Sequence, residues 1–532
     1  MKLDYKKVFY VGLAFFLITV FWQTYDAIIT KILIDKFGLN QTWSGLVMAL
    51  DNIFALFMLP LFGALSDKTN HKKGRRTPYI IVGTIVAAFA FIALSFTDNY
   101  QTKRIEETEI IAKYNVIVDT EDSIKQTSVF WVDRINDMKT ERALKLTNKD
   151  ITDSRYNKWD KDILKPMEDA LKGKTNLTII EVSVLDGYYH SYLSELAWEK
   201  TLQNPLNFAI FIVILLIALI AMSTFRSPAV SLMPDVTPKP LRSKANAIIN
   251  LMGAAAGVTA LIMMTVFGLG GKSYVHYQSA FITVGVIMLS VLAIFLWKVK
   301  EPKLVKEKEA LDLEYGLSDD EDEGDTMDEL PKEKRVSLYL ILASVFLWFM
   351  GYNAVMTKVS DYAPKILQLP SFTIPLLIAN VTAIIAFIPI GILSTKFGRK
   401  KMILAGVVLL SLCFGSVFFL TKDTGWVMYI VFGLTGIGWA TINVNSYPMV
   451  VELSKGSNVG KYTGYYYTFS MAAQIVTPIL SGLFMDKIHQ KALFPYATFF
   501  VVLAFFTMFL TKHGDSTAEK RDILESFDVD MD

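Results

Sequence analysis

Three charged side chains, Asp26, Asp51 and Arg226, lie inside stretches otherwise suited to the interior of a lipid bilayer. A charge at mid-helix costs roughly 2.5 to 3.5 kcal/mol on insertion scales, so each needs a water-filled cavity or a partner. Desolvation draws a buried carboxylate toward its neutral form and a nearby cation draws it toward its charged form, a balance suited to cation uptake and release. Asp26 and Asp51 are therefore candidate coupling acids, with Arg226 as their counter-ion or as a direct ligand for substrate. A static ion pair between helices, or a local one of Asp26 with Lys31, would use the same residues without any coupling.

A second constellation runs through Gly63-Ala64-Leu65-Ser66-Asp67-Lys68 and then Gly74-Arg75-Arg76-Thr77-Pro78, a strongly basic loop between two hydrophobic runs. A carboxylate facing guanidinium groups across a helix end makes charge-assisted bonds that can break when packed bodies rock apart. Asp67, Arg75 and Arg76 thus read as a gate, or as charges that only set topology. Asp235 with Arg242, and Glu452 with Lys461, present an acid followed by a base at two further helix ends and are weaker members of the same set.

A third group could hold a polar solute. Trp22, Gln23, Trp348, Tyr352, Asn353, Asn443, Asn445, Tyr466 and Gln474 combine aromatic faces, which cover the apolar side of a sugar ring, with amides that bond hydroxyls. Each taken singly is equally at home in packing or an interhelical hydrogen bond. No cofactor and no metal are expected. The histidines, His71, His190, His276, His489 and His513, read as loop or tail residues without metal-ligand spacing. Gly271-Lys272-Ser273 lacks the first glycine of a phosphate loop, since position 266 is Val266.

The elements that must position these groups are membrane helices. The chain has 532 residues, 52% of them hydrophobic and 13% aromatic, with a mean hydropathy of +0.38, which excludes a set of soluble domains. Phe208 to Phe225 carries no charge, and about 20 apolar residues cross the hydrocarbon core. Twelve such runs are predicted, at about 8–33, 43–65, 78–97, 205–232, 245–268, 279–298, 336–357, 371–394, 400–421, 426–450, 460–485 and 493–511. Lys72, Lys73, Lys239, Lys244, Lys396, Arg399, Lys400 and Lys401 fall at even-to-odd connections, so the positive-inside tendency predicts cytoplasmic termini. The single cysteine, Cys413, sits in an apolar run and reads as packing.

The fold class expected is all-α integral membrane, with twelve spans in two six-helix halves, residues 1–97 with 205–298 and residues 336–511. Residues 98–204 form a polar block between the third and fourth spans, predicted to lie outside the cytoplasm as a small cap of mixed helix and strand, or as a solvated loop. Ile179, Ile180, Val182 and Val184 suggest its strand. Residues 299–335, with the acidic run Asp319 to Glu323, read as a cytoplasmic linker, and 512–532 as a polar tail.

The loop after the second run resembles the signature of the major facilitator superfamily, Gly-x-Leu-x-Asp-Arg/Lys followed by Gly-Arg-Arg/Lys. Its longer spacer and Arg-Arg-x-Pro ending are similar to one branch, the sucrose-proton and glycoside-pentoside-hexuronide cation symporters. A degenerate second copy, Gly391-Ile392-Leu393-Ser394-Thr395-Lys396 and then Gly398-Arg399-Lys400, has Thr395 in place of the acid. The resemblance implies halves related by an axis along the membrane normal, alternating access, and a gating role for Asp67, Arg75 and Arg76. It does not carry over the branch's sugar ligands, since Val230 and Leu219 stand where sucrose symporters place an arginine and an acid.

Residues and resemblance together predict a secondary active transporter, not an enzyme, moving a small polar solute such as a sugar or glycoside by symport with a proton or another cation. The expected partners are that solute, the cation and the lipid bilayer, with no nucleic acid. The expected state is a monomer in the plasma membrane. Export of an amphiphilic metabolite, or a non-transporting receptor with residues 98–204 as its sensor, are the alternatives.

Overall fold

A computed structural model of the chain describes residues 3–271, 273–315, 331–453 and 459–514. Every element among them is helical, and twelve helices are long and apolar enough to cross a membrane. The first six spans are α1 (Tyr5–Lys31, continued by a π-helical turn over Ile32–Lys36), α2 (Gln41–Asp67), α3 (Thr77–Glu106), α10 (Pro205–Val236), α11 (Arg242–Val266) and α12 (Gln278–Lys298). The last six are α14 (Lys332–Ile366), α15 (Thr373–Phe397), α16 (Arg399–Val417), α17 (Val427–Val451), α18 (Val459–Lys487) and α19 (Leu493–Leu510). Local chemistry starts several of them: the Asn40 side chain accepts from the Trp43 N–H at 2.9 Å to cap α2, and Pro78 and Pro205 open α3 and α10 where a missing N–H does no harm.

Helix packing repeats between the halves. In the first, α3 packs on α10 and α12, α1 on α11 and α12, and α2 on α10. In the second, the corresponding pairs are α16 with α17 and α19, α14 with α18 and α19, and α15 with α17. Across the middle, α2 meets α18, α11 meets α15, and α1 meets α14.

Residues between α3 and α10 form a small domain of helices with its own core. These are α4 (Ile110–Asp119), α5 (Asp122–Lys125), α6 (Ser128–Thr147), α7 (Asp153–Trp159), α8 (Lys165–Leu171) and α9 (Ile179–Gln203). Trp131, Trp159, Tyr192 and Leu185 are buried at its centre. The Arg142 guanidinium lies 5.5 Å over the Trp159 ring and 5.4 Å over Tyr192, and pairs with Glu195 and Glu199. The expected strand is absent. Residues 179–184 begin α9, because the Thr178 hydroxyl and the Glu181 carboxylate make a reciprocal capping box, and Val182, Leu185, Tyr189, Tyr192 and Leu196 then bury one helical face. The only β-pairing among the described residues is one bridge, Thr127 with Asn176.

The linker also departs from a plain solvated spacer. Its described part forms α13 (Glu301–Tyr315), which packs on α10, while the acidic run Asp319 to Glu323 lies outside the described residues. Lys7, near the start of α1, pairs with Glu307 at 2.5 Å, and Ser337 with His513 at 3.1 Å, so both ends of the described chain and the linker share one end of the bundle. That end is called the terminus side below, and the other the insertion side.

Candidate functional site

Two layers of the bundle hold the residues singled out by sequence. The first is the terminus side. Arg75 reaches the end of α10 and donates from both Nη2 and Nε to Asp235, at 2.5 and 3.1 Å. Arg76 is buried and donates to Asp235 at 2.7 Å, to Asp67 at 2.5 Å, and to the Ser66 hydroxyl. Asp67 and Asp235 are thus joined by one guanidinium, which ties α2, α3 and α10. The Asp235 carboxylate holds the Arg75 guanidinium above its ordinary pKa. Arg242 does not serve only as an acid's partner: it donates to the Pro234 and Thr237 carbonyls and so closes the α10–α11 turn.

Glu301, at the start of α13, was missed in the sequence. Its carboxylate is buried and accepts from the Arg76 N–H at 2.9 Å and from the Thr77 N–H and hydroxyl at 2.8 and 2.7 Å, capping α3 from another element. Gly74 is required for this approach. It has φ +106°, and an added Cβ would lie 2.2 Å from the Glu301 carboxyl carbon. The signal available was Lys300-Glu301-Pro302, an acid directly after an apolar span.

In the second half, Arg399 pairs with Glu452 at the end of α17. Gly398 before it has φ +87°, matching Gly74. The first-half pattern of a positive-φ glycine, an arginine and an acid ending a neighbouring helix therefore recurs. The side chains of Thr395 and of Lys461, the expected partner of Glu452, lie outside the described residues.

The second layer is the middle of the bundle. Asp26 on α1, Asp51 on α2 and Arg226 on α10 are half-buried, and their charges interact: Asp51 with both Asp26 and Arg226. The Asn52 amide donates to Asp51 at 2.8 Å. Gln23, one turn before Asp26, faces Gly257 on α11, whose added Cβ would sit 3.4 Å from the Gln23 oxygen.

In the second half, α14 and α17 carry an aromatic cluster. Tyr352 stacks on Trp439 at 3.7 Å and 5°, with Phe349 edge-on to the same indole. Trp439 was missed, as one apolar residue in an apolar run. Trp348 is fully buried; its indole N–H, like the Trp22 indole N–H, the Tyr25 hydroxyl and the Asn353 amide nitrogen, has no hydrogen-bond partner. Buried donors without partners are rare in a finished core, so these four are candidates for bonding a polar guest. Asn443 is buried, Asn445 donates to the Thr441 carbonyl of its own helix at 2.8 Å, and Tyr466 meets Ser446 at 3.0 Å, so the latter two serve helix packing. Gln474 on α18 is half-buried.

Among the described residues no group of histidine, cysteine and carboxylate side chains could hold a metal ion. His190 is not in a loop: it is buried within α9. His276 joins Asn99 and Glu106, at 2.9 Å each.

Comparison with known proteins fits this architecture. The family model described as Major Facilitator Superfamily matches residues 196–387 and 366–525, and the one described as MFS/sugar transport protein matches residues 10–109. MJ1317 of Methanocaldococcus jannaschii, described as an uncharacterized MFS-type transporter, is 23% identical over 180 residues, 33% of this chain and 44% of that protein. The match thus spans less than half of that relative. Among solved structures, the inward-open xylose transporter XylE from E. coli has a TM-score of 0.54 at 12% identity, covering 98% of both chains. The nucleoside transporter NupG gives 0.52 at 12% identity, over 95% of this chain and 100% of NupG. A bacterial homologue of the iron transporter ferroportin gives 0.57 at 12%, over 96% and 99%.

Proposed function

Because this chain belongs to the Major Facilitator Superfamily, we propose that it is a secondary active transporter in which Asp51 or Asp26 binds the coupling cation and the solute is a sugar or glycoside. The observation that carries this reading is the interacting triad of Asp26, Asp51 and Arg226 within the spans, together with buried donors on α1 and α14 that have no hydrogen-bond partner. A cation on the acid frees Arg226 from one of its charges, and a hydroxyl-rich solute supplies acceptors to Trp22, Trp348 and Asn353. The stacked Tyr352 and Trp439 offer an apolar face of the kind sugar rings pack against.

A sugar is favoured by that aromatic and amide lining and by the MFS/sugar transport match to residues 10–109. Within the superfamily, the spacing of the Asp67-to-Pro78 loop favours the sucrose-proton and glycoside-pentoside-hexuronide branch. The terminus side is the cytoplasmic side in this proposal, by the basic residues of its loops. The two arginine clusters hold each half rigid there, and the halves rock about the substrate to expose it alternately.

The test is external pH recorded on purified protein in liposomes while sugars, glycosides and nucleosides are added. Alkalinisation with one solute, lost in Asp51→Asn or Asp26→Asn, is expected. Uptake that is insensitive to both substitutions would refute the coupling assignment, and absence of uptake for every solute would refute the sugar reading.

A further inference from the structure

Beyond the proposed substrate site, the insertion side of the bundle contains a second set of charged residues, and it lies between the halves. The π-helical end of α1 brings Asp35 to the end of α14, where Lys365 contacts Asp35 at 2.6 Å and Asp361 at 2.5 Å. All three are buried, as is Lys31 on α1, whose charge interacts with each of them. Gln41, the first residue of α2, donates its side-chain amide to Asp361 at 2.6 Å and to the Gln490 oxygen at 3.3 Å.

The rest of the first turn of α2 is also held by the opposite half. Lys358 on α14 donates to the Gln41 carbonyl at 2.9 Å. Asp486 on α18 accepts from the Gln41 and Thr42 N–H groups at 3.0 and 2.8 Å and from the Thr42 hydroxyl at 2.6 Å. It therefore caps a helix that belongs to the other half. Glycines allow the helices to touch here: an added Cβ at Gly45 would lie 2.0 Å from the Pro478 carbonyl oxygen, and one at Gly482 would lie 2.3 Å from that of Gln41.

Over this cluster lies α9 of the insertion. Gly187 rests on Gln490, with its added Cβ 3.2 Å from the Gln490 side chain, and Asp186 faces Lys125 at 3.8 Å. One polar chain thus leads from Gln490, beneath the insertion, through Gln41, Asp361 and Lys365 to Asp35, crossing between the halves three times.

We propose that Asp35, Asp361 and Lys365, with the first turn of α2, are the latch that holds the insertion side shut, and that the inserted domain is the lid that keeps this latch dry. The proposal rests on the transport reading, since a latch is useful only if the halves rock. Bonds within one half, such as Lys365 with Asp361 on α14, survive a rocking motion, whereas Asp35 with Lys365 and Gln41 with Asp361 must separate. Their burial makes the closed state sensitive to any unbalanced charge, because removing one partner leaves the other desolvated.

The test is the distance between spin labels at Lys103→Cys and Asp423→Cys, both on the insertion side, in a Cys413→Ser background. It needs no substrate, so failure of the transport reading would appear in uptake and leave this readout intact. The unaltered latch should give one short distance. Lys365→Met, which leaves the Asp35 and Asp361 carboxylates with Lys31 alone, one cation for two acids, should raise the ratio of open to closed molecules by roughly a hundredfold. The neutral variant Lys31→Met, Asp35→Asn, Asp361→Asn, Lys365→Met should close again, since it strands no charge among these four residues. Where Lys365→Met does not fold, Asp35→Asn and the neutral variant carry the comparison. An unchanged distance distribution in the folded variants would overturn the proposal, and so would failure of all of them to fold, which would make the cluster a determinant of folding.

Discussion

The two ends of the bundle carry similar charged residues arranged in opposite ways. On the terminus side, Arg75 and Arg76 with Asp67 and Asp235, and Arg399 with Glu452, each stay inside one half, and Asp67 is more than half exposed, at 57%. On the insertion side, Lys365, paired with Asp361 on its own helix, reaches across to Asp35 in the other half, away from water. Pairs within a half stiffen a body that moves as a unit. Pairs between halves select one position of the two bodies. Burial decides how strongly each arrangement acts, since exposed pairs contribute little and dry pairs are punishing to unbalance.

The largest effect should come from a dry pair. Lys36 and Asp98 are fully buried at 2.5 Å on the insertion side, and Asp98 also accepts from the Tyr277 N–H at 3.1 Å. Lys36→Met strands that carboxylate and should lower stability by about 3 to 5 kcal/mol, read from thermal unfolding in detergent. A loss below about 1 kcal/mol would mean that this end is wetter than its packing indicates.

Next is Gly74→Ala. Its φ of +106° and the approach of Glu301 predict a loss of about 1 to 3 kcal/mol, together with slower transport. A neutral result in both would remove Glu301 from the terminus-side cluster.

The third prediction is a pH response. Burial, aided by the Lys365 charge, holds the His190 imidazole down at a pKa of about 3. The folded protein therefore keeps His190 neutral while the unfolded chain takes a proton below about 6.5. Stability from this group is complete above pH 6.5 and falls toward pH 3, by up to about 1.4 kcal/mol per unit. His190→Gln should flatten the fall in melting temperature between pH 6.5 and 5. Asp186 opposes it, since burial lifts that carboxyl to about 6 and favours the folded state as pH falls through 6. In Asp186→Asn the acid sensitivity should steepen.

Smallest is Asp67→Asn. The exposed partner of Arg76 should change stability by about 0 to 1 kcal/mol, while the transport rate falls by a larger factor than any other property. An equal loss in both would erase the contrast between the two ends.

Much of the terminus side was legible because its partners sit in one short loop and at predictable helix ends: Asp67, Arg75 and Arg76 lie within ten residues. The twelve spans and the mid-bundle charges Asp26, Asp51 and Arg226 were equally legible, since apolar length and an intruding charge are local signals. The insertion side was not. Asp35 and Lys365 lie in different halves of the chain, and each reads alone as a charge that ends a span, so α14 was predicted to stop at 357 rather than 366. Glu301 and Trp439 were lost for the same reason, because their value lies in distant partners. The error at α9 was different: Thr178 and Glu181 spelled a helix start, and a run of β-branched residues was given more weight.

Glu301 also bears on the order in which the protein is made. The first turn of α3 is capped by a residue that leaves the ribosome only after the insertion and three further spans have been synthesised. Until then the Arg76 and Thr77 N–H groups have only water to bond. The start of α3 is therefore satisfied at residue 301 and not at the close of α12. A fragment ending at 298 should reach the membrane with its second and third spans still loosely joined, whereas one ending at 315 carries its own fastening.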